Sequence, residues 1–158
     1  MIRTKHLATG LALLAALVLA GTATAAPEKE AWEQPKVSAA SAGFLKAVDD
    51  LLQSSKLQDT MNQSQTNQVY LVIEDLKSLR RFAQRLNRQI TAGASEAETA
   101  PLFQRTLRLI ERLRVSVPAT PLFESQLPAI RNARARLDNL ARYYGVSLPP
   151  PVAAPGER

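Results

Sequence analysis

The sequence predicts an all-α protein, folded as an antiparallel up-down bundle of four helices over residues 41–146. Apolar residues recur at intervals of three and four in four successive segments, which is the spacing of one helical face. The connections between the last three segments are short, so those helices should be antiparallel neighbours. No segment shows the alternation of apolar and polar residues that is typical of a strand. A three-helix core with the first helix docked loosely is the alternative.

The first 25 residues have the pattern of a secretory signal peptide. Arg3 and Lys5 precede an uncharged apolar run over residues 7–20, and small residues follow up to an A-x-A ending at Ala25. Cleavage there predicts an exported protein, either periplasmic or secreted. Thr22 occupies the position where a lipoprotein signal has its cysteine, so this protein is not expected to be a lipoprotein.

The predicted first helix follows a leader that lacks helical periodicity. Residues 26–40 combine charges with two prolines and a lone Trp32, so they are predicted to form a flexible leader. Ser41 is a suitable N-cap, and the helix should end near Leu57, before a polar stretch. The buried side of this first helix is predicted to comprise Phe44, Leu45, Val48, Leu51, Leu52 and Ser55.

The second and third predicted helices are separated by Gly93, which suits a helix end. The second has the clearest buried side, formed by Val69, Val72, Ile73, Leu76, Leu79, Ala83, Leu86 and Ile90. Ser95 and Glu98 have capping-box spacing, but a helix starting there would contain Pro101 in its interior. A start at Thr99 is therefore predicted, because it places the proline in the first turn. The buried side of the third helix should comprise Leu102, Phe103, Thr106, Leu109, Ile110 and Leu113.

The fourth predicted helix starts at Thr120, a hydroxyl cap that is followed by a proline. Pro128 falls within its periodic region, which predicts a kink or a short break there. Gly145 followed by Val146 fits a Schellman-type end, in which the chain folds back on the last turn. Residues 147–158 are rich in proline and are predicted to form a disordered tail.

Charge is distributed unevenly along the chain. Residues 26–76 hold four lysines against eight acidic residues, whereas residues 77–142 hold thirteen basic residues against five acidic ones. All but one of the thirteen are arginine. A basic half can recruit anionic partners, although a solvated helix surface in an arginine-rich protein has the same composition. The candidate binding residues are Arg81, Arg85, Arg88, Arg105, Arg108, Arg112, Arg131, Arg134 and Arg142.

The residues that most cofactors and enzymes need are missing from the sequence. The only histidine, His6, lies in the predicted signal peptide, and there is no cysteine. Covalent haem attachment, histidine ligation and the Glu-x-x-His metal sites of bundles all depend on these residues. No serine-nucleophile motif and no glycine-rich phosphate loop occurs either. The sequence therefore predicts no cofactor, no metal site and no catalytic residue, and we do not expect an enzyme.

The leading functional hypothesis is an exported, non-catalytic bundle that acts by binding, as an envelope adaptor, a scaffold or a chaperone-like protein. Its arginines would contact an anionic protein, an envelope polymer or lipid headgroups. Nucleic acid is not expected, because aromatic side chains for base stacking are not interleaved with the arginines. The alternative is a carrier of a small molecule or a lipid, with a cavity between the helices. Assembly into a homo-oligomer is left open.

Overall fold

A computed structural model describes residues 28–62, 67–116 and 122–150. Every regular element in these ranges is an α-helix, which confirms the predicted four-helix, all-α fold. The helices are α1 (Gln34–Asn62), α2 (Asn67–Thr91), α3 (Glu96–Ser116) and α4 (Leu122–Tyr143). The predicted signal peptide and the last eight residues of the predicted tail lie outside the described residues.

Helix α1 has a central place in the packing. It packs against both α2 and α4, and α2 packs in turn against α3. Helices α2 and α4 therefore lie at opposite corners of the bundle. Phe44 and Val48 of α1 are only 2% and 0% exposed, so this helix is part of the core and the loosely docked alternative is wrong. None of the helices in the described ranges combines the length and low polarity needed to cross a bilayer.

The predicted apolar sides of the helices form one shared core. All eight predicted positions of α2 are buried, and so are five of the six in α3, with Ile110 partly buried at the edge. Close packing of such side chains is the main source of stability in a chain without disulfides.

Helix α1 begins at Gln34, so its predicted start at Ser41 is wrong and the leader is shorter than predicted. Pro35 lies in the first turn, where its missing N–H removes no helical hydrogen bond. Val37 and Ala40 extend the buried side into this region, with 0% and 7% of their surfaces exposed. The small residues of this region give too weak an apolar period to predict the helix from the sequence.

Ser41 is a buried residue of α1 and does not cap it. Its side chain is 1% exposed, and its hydroxyl lies 3.0 Å from the Ser38 carbonyl oxygen and 2.8 Å from Asn87 Oδ1 of α2. A buried hydroxyl that keeps its hydrogen bonds avoids the cost of desolvation. Ser41 therefore links two core helices.

Helix α3 begins directly after Ser95, and the predicted start at Thr99 is wrong. The Ser95 backbone N–H donates to Glu98 Oε2 at 2.8 Å, and the Glu98 backbone N–H donates to Ser95 Oγ at 3.4 Å. These reciprocal bonds form the capping box. Pro101 lies within the helix on its exposed side, so the Ala97 carbonyl lacks its usual intrahelical donor. The cap and the packing of α3 outweigh that loss.

The capping box supports a prediction about stability. Replacing Ser95 with alanine should lower the free energy of unfolding by about 1 kcal/mol, as measured by urea denaturation. Hydrogen bonds from the Ser95 backbone N–H, and after it from the Ser95 hydroxyl, hold the pKa of Glu98 below its usual value, and the alanine variant loses only the hydroxyl's part. A lowered pKa means that this contribution is present above the ordinary glutamate pKa and is lost as pH falls through the folded-state pKa. The difference between wild type and Ser95→Ala should therefore shrink in acid.

A second serine provides the control for this measurement. Ser147 is exposed and lies outside the helices, so Ser147→Ala should leave stability nearly unchanged. An effect of Ser95→Ala that is equal at neutral and acidic pH would contradict the role given to the Glu98 carboxylate.

Two helices end as predicted, with glycine in the left-handed region. The φ angles are 92° at Gly93 and 63° at Gly145. After α4, the Val146 N–H donates to the Ala141 carbonyl at 3.1 Å and the Gly145 N–H donates to the Arg142 carbonyl at 3.1 Å. This pair of bonds is the Schellman motif. The prediction for this end of the bundle is confirmed.

Helix α4 continues without interruption through Pro128, so the predicted break is absent. Gln126, just before the proline, is 5% exposed, and its Oε1 accepts a hydrogen bond from the Ser54 hydroxyl of α1. Contacts with α1 therefore hold the first turns of α4 in place.

The residues after α4 continue to contact the bundle. Leu148 is partly buried against the core, and the Arg134 guanidinium donates to the Pro149 carbonyl. The predicted tail thus begins with residues that pack on the body of the protein.

The segment before α1 also contacts the bundle, at the end where α4 finishes. The Glu30 N–H donates to the Arg142 carbonyl at 3.2 Å, and Lys29 Nζ lies 2.8 Å from Glu96 Oε2. The segment before α1 and the last turn of α4 therefore meet at the Gly93 end of the bundle.

Candidate functional site

The structure separates the nine candidate arginines into two groups. Helix α4 carries Arg131, Arg134 and Arg142. Helices α2 and α3 carry Arg81, Arg85, Arg88, Arg105, Arg108 and Arg112. Because α2 and α4 lie at opposite corners, the nine residues do not form a single cluster.

Helical geometry places the three arginines of α2 on its outer side. Residues three, four and seven apart share a helical face, so Arg81, Arg85 and Arg88 form one row. The core side of α2 includes Leu86 and Ile90, which are both fully buried, whereas all three arginines are exposed. This row therefore points away from the core.

An ion pair fixes how α3 is aligned with α2. Arg112 Nε lies 3.3 Å from Asp75 Oδ2, so residues 75 and 112 are at the same level of these antiparallel helices. Because the helices are antiparallel, residue numbers rise along α2 as they fall along α3. Arg81 is therefore level with Arg105 and its neighbours. At a rise of 1.5 Å per residue, the arginines of both helices extend over about 20 Å from this pair.

The middle of this pair of helices contains no acidic residue. None occurs in residues 76–95 or 99–110, which together hold seven basic residues. Lys77 pairs with Glu74, and Arg80 pairs with Asp49 of α1. Five arginines of the two ranges make no ion pair with the described residues, namely Arg81, Arg85, Arg88, Arg105 and Arg108.

Apart from Arg88, which the helix dipole favours in the last turn of α2, these unpaired arginines do not favour folding. Arg81 and Arg85 are four residues apart, and the pairs Arg85–Arg88 and Arg105–Arg108 are three apart. Like charges at such spacings destabilise a helix by about 0.2–0.5 kcal/mol per pair. Stability of the bundle therefore does not account for this arrangement.

The arginines of α4 have different surroundings. Arg134 Nε lies 3.3 Å from Asp138 Oδ2, and Arg142 Nη1 lies 3.6 Å from Glu30 Oε1. Arg131 is exposed. Two of these three side chains thus have carboxylate partners within the protein.

Three large apolar side chains on α2 and α3 are exposed. The exposed fractions are 62% for Tyr70, 62% for Leu71 and 69% for Val115. The alignment set by the 75–112 pair puts Leu71 and Val115 at nearly the same level, near the end of the bundle opposite Gly93. Sequence reasoning missed them, although each is an apolar residue that departs from the buried period of its helix.

An aromatic cluster closes the Gly93 end of the bundle. Phe103 and Tyr144 are stacked, with ring centroids 4.0 Å apart, and Trp32 meets Tyr144 edge-on at 5.2 Å. The Tyr144 hydroxyl donates to Thr99 Oγ1 at 2.9 Å. Burial raises the pKa of Tyr144 to about 12, so its phenol stays protonated near neutral pH. Trp32, predicted to stand alone in a flexible leader, is part of this cluster.

The described surface includes two open grooves. One, of about 290 Å³, lies between α1 and α4 and is lined in part by Gly43, Arg136 and Tyr143. The other, of about 490 Å³, lies beside the segment before α1 and includes Lys29 and Arg142. Both are open at the surface, and neither includes an arginine of α2 or α3. In the described ranges, no three acidic side chains come together as potential metal ligands.

Among the features that the geometry leaves unexplained are the exposed and unpaired arginines of α2 and α3. Their function has to be inferred from their own surroundings. No protein-family model matches this chain, and no curated protein or solved structure is significantly similar to it.

Proposed function

We propose that this is an exported, non-catalytic protein that binds an anionic partner through a basic surface on α2 and α3. We call this surface the arginine face and define it as Arg81, Arg85, Arg88, Arg105, Arg108 and Arg112. The observation that carries the proposal is that five of these six make no ion pair with the described residues, in segments free of acidic residues.

Arginine is well suited to this task. Its planar guanidinium presents five N–H donors and binds carboxylate, phosphate or sulfate oxygens two at a time. Neighbouring arginines of a row have Cβ atoms about 5–6 Å apart, so each row offers closely spaced donors on a rigid helix. A partner with repeated anionic groups satisfies several of them at once.

The chemistry of the face favours binding over catalysis. Arginine keeps its proton at any physiological pH, so it is a poor acid or base. The nearest carboxylates along the two helices, Glu74, Asp75 and Glu111, each form an ion pair with a basic side chain. The face therefore supplies fixed positive charge and hydrogen-bond donors, without a group that exchanges protons near neutral pH.

Removing charge from the arginine face should abolish most of the binding. We expect the variant Arg85→Gln, Arg88→Gln, Arg105→Gln, Arg108→Gln to bind dextran sulfate at least about tenfold more weakly at low salt. Its affinity should also depend less steeply on salt, because fewer charges are screened. The measurement is a salt series by isothermal titration calorimetry, on residues 26–158, which include every described residue.

A variant with the same change in net charge elsewhere controls for long-range electrostatics. Lys36→Gln, Lys46→Gln, Arg131→Gln, Arg136→Gln removes four charges from α1 and α4. It should keep most of the affinity of the wild type. Equal losses in both variants would show that net charge alone attracts the polymer, and no loss in the arginine-face variant would refute the proposed function. Thermal unfolding of each variant confirms that it is folded.

A further inference from the structure

The exposed apolar residues at one end of α2 and α3 point to the nature of the partner. We infer that Tyr70, Leu71 and Val115 act together with the arginine face to dock the protein on an anionic lipid bilayer. This inference rests on the proposed function and adds to it the class of the partner.

On each of the two helices, an exposed apolar residue shares a side of the helix with arginines. Arg81 and Arg88 follow Tyr70 by eleven and eighteen residues, which is close to three and five whole turns of a helix. On α3, Arg108 and Val115 are seven residues apart, close to two turns. Tyr70 and Val115 are therefore continuous with the arginine rows of their helices, at the end farthest from Gly93.

A bilayer offers both the anionic groups and the apolar interior that this surface would contact. Its phosphates lie at the level of the headgroups, where guanidinium groups bind them, and its acyl chains lie just beneath. Tyrosine is suited to the boundary, since its ring is apolar and its hydroxyl stays hydrated. Leu71 and Val115, exposed by 62% and 69%, would gain by leaving water.

The lateral mobility of lipids in a bilayer favours a lipid surface over an acidic protein as the partner. The unpaired arginines are spread over about 14 Å along two helices, and neither described groove includes them. An acidic protein would have to place its carboxylates at matching fixed positions, whereas lipids diffuse to fit the existing ones. Docking along the surface also agrees with helices that, in the described ranges, are unsuited to span a bilayer.

The first test compares vesicles with a soluble polymer. Residues 26–158 are mixed with vesicles of phosphatidylcholine and phosphatidylglycerol, with vesicles of pure phosphatidylcholine, and with dextran sulfate. We expect the variant Tyr70→Ser, Leu71→Ser, Val115→Ser to bind the anionic vesicles at least about fivefold more weakly than wild type. Its affinity for dextran sulfate should be unchanged, because the arginine face is intact. Little binding to pure phosphatidylcholine is expected from either protein.

The second test reports insertion directly. The chain contains no cysteine, so Val115→Cys can carry a single environment-sensitive fluorophore. Its emission should shift to the blue on anionic vesicles, because the probe enters a less polar medium. The same label at Asn132→Cys, an exposed position of α4, should not shift.

The outcomes separate the two levels of the proposal. If the serine variant binds anionic vesicles as tightly as wild type and the label at position 115 does not shift, the bilayer inference is overturned. The proposed function then stands as long as the arginine-face variant loses its affinity for dextran sulfate. Tight binding of wild type to polyglutamate, without binding to anionic vesicles, would identify an acidic polypeptide as the partner instead.

Discussion

Replacing Phe44 with alanine should lower the free energy of unfolding by about 3–5 kcal/mol. Phe44 is 2% exposed and lies in α1, the helix that packs against both α2 and α4. The substitution removes a large buried ring and leaves a cavity that rigid neighbouring helices fill only in part. Urea denaturation followed by circular dichroism measures the change as a lower midpoint.

The neighbouring exposed residue provides the control for this substitution. Lys46→Ala, two positions along α1, should change stability by no more than about 0.5 kcal/mol. A loss below about 1 kcal/mol for Phe44→Ala would mean that α1 contributes little to cooperative folding. That result would restore the three-helix core with α1 docked on its surface.

Replacing Phe103 with alanine should cost a similar amount, about 3–5 kcal/mol, and should also disturb the Gly93 end of the bundle. Phe103 is 0% exposed, and its ring is stacked on Tyr144 at 4.0 Å. Tyr144 in turn contacts Trp32, so loss of the stack removes support from the segment before α1. Trp32 is the only tryptophan, and its fluorescence reports on this contact. We expect a red-shifted emission, easily quenched by iodide, while the helices are still folded.

A milder substitution tests whether the effect comes from the ring. Phe103→Leu keeps most of the buried volume, so it should cost less than Phe103→Ala and shift the emission of Trp32 less. Unchanged Trp32 emission in folded Phe103→Ala would contradict the coupling between the aromatic cluster and the segment before α1.

A helix is easier to predict from the sequence when its buried and exposed sides differ strongly in polarity. Helix α2 is apolar on one side and charged on the other, so all eight of its buried positions could be predicted. The start of α1 could not, because the small Ala40 and the polar Ser41 are buried there and give only a weak apolar pattern. Small side chains allow helices to approach closely, and their burial is decided by the neighbouring helix.

The predicted start of α3 is wrong because the penalty of an internal proline is smaller than the gain from the cap. Pro101 disfavours a start before Thr99, but the reciprocal bonds of Ser95 and Glu98 secure the earlier start. Local rules identify the cap and the proline as competing effects. Which of the two decides the start of the helix depends on the packing of the whole helix.

The candidate site was predictable in its residues and not in its layout. Exposure of Arg85 and Arg108 follows from the helical period alone. The separation of Arg131 from them depends on which helices are neighbours, and short connections do not determine that. Pairing of Arg142 with Glu30 depends on a segment that sequence reasoning treated as a flexible leader. Tertiary contacts therefore decide which charges stay unpaired.

The contact between Glu30 and Arg142 at the Gly93 end of the bundle has a practical consequence for handling the protein. A label attached at either of these two residues would lie about 30 Å from Tyr70, given the length of α2. Immobilisation on a sensor through either position would present the Tyr70 tip outward, in the same orientation.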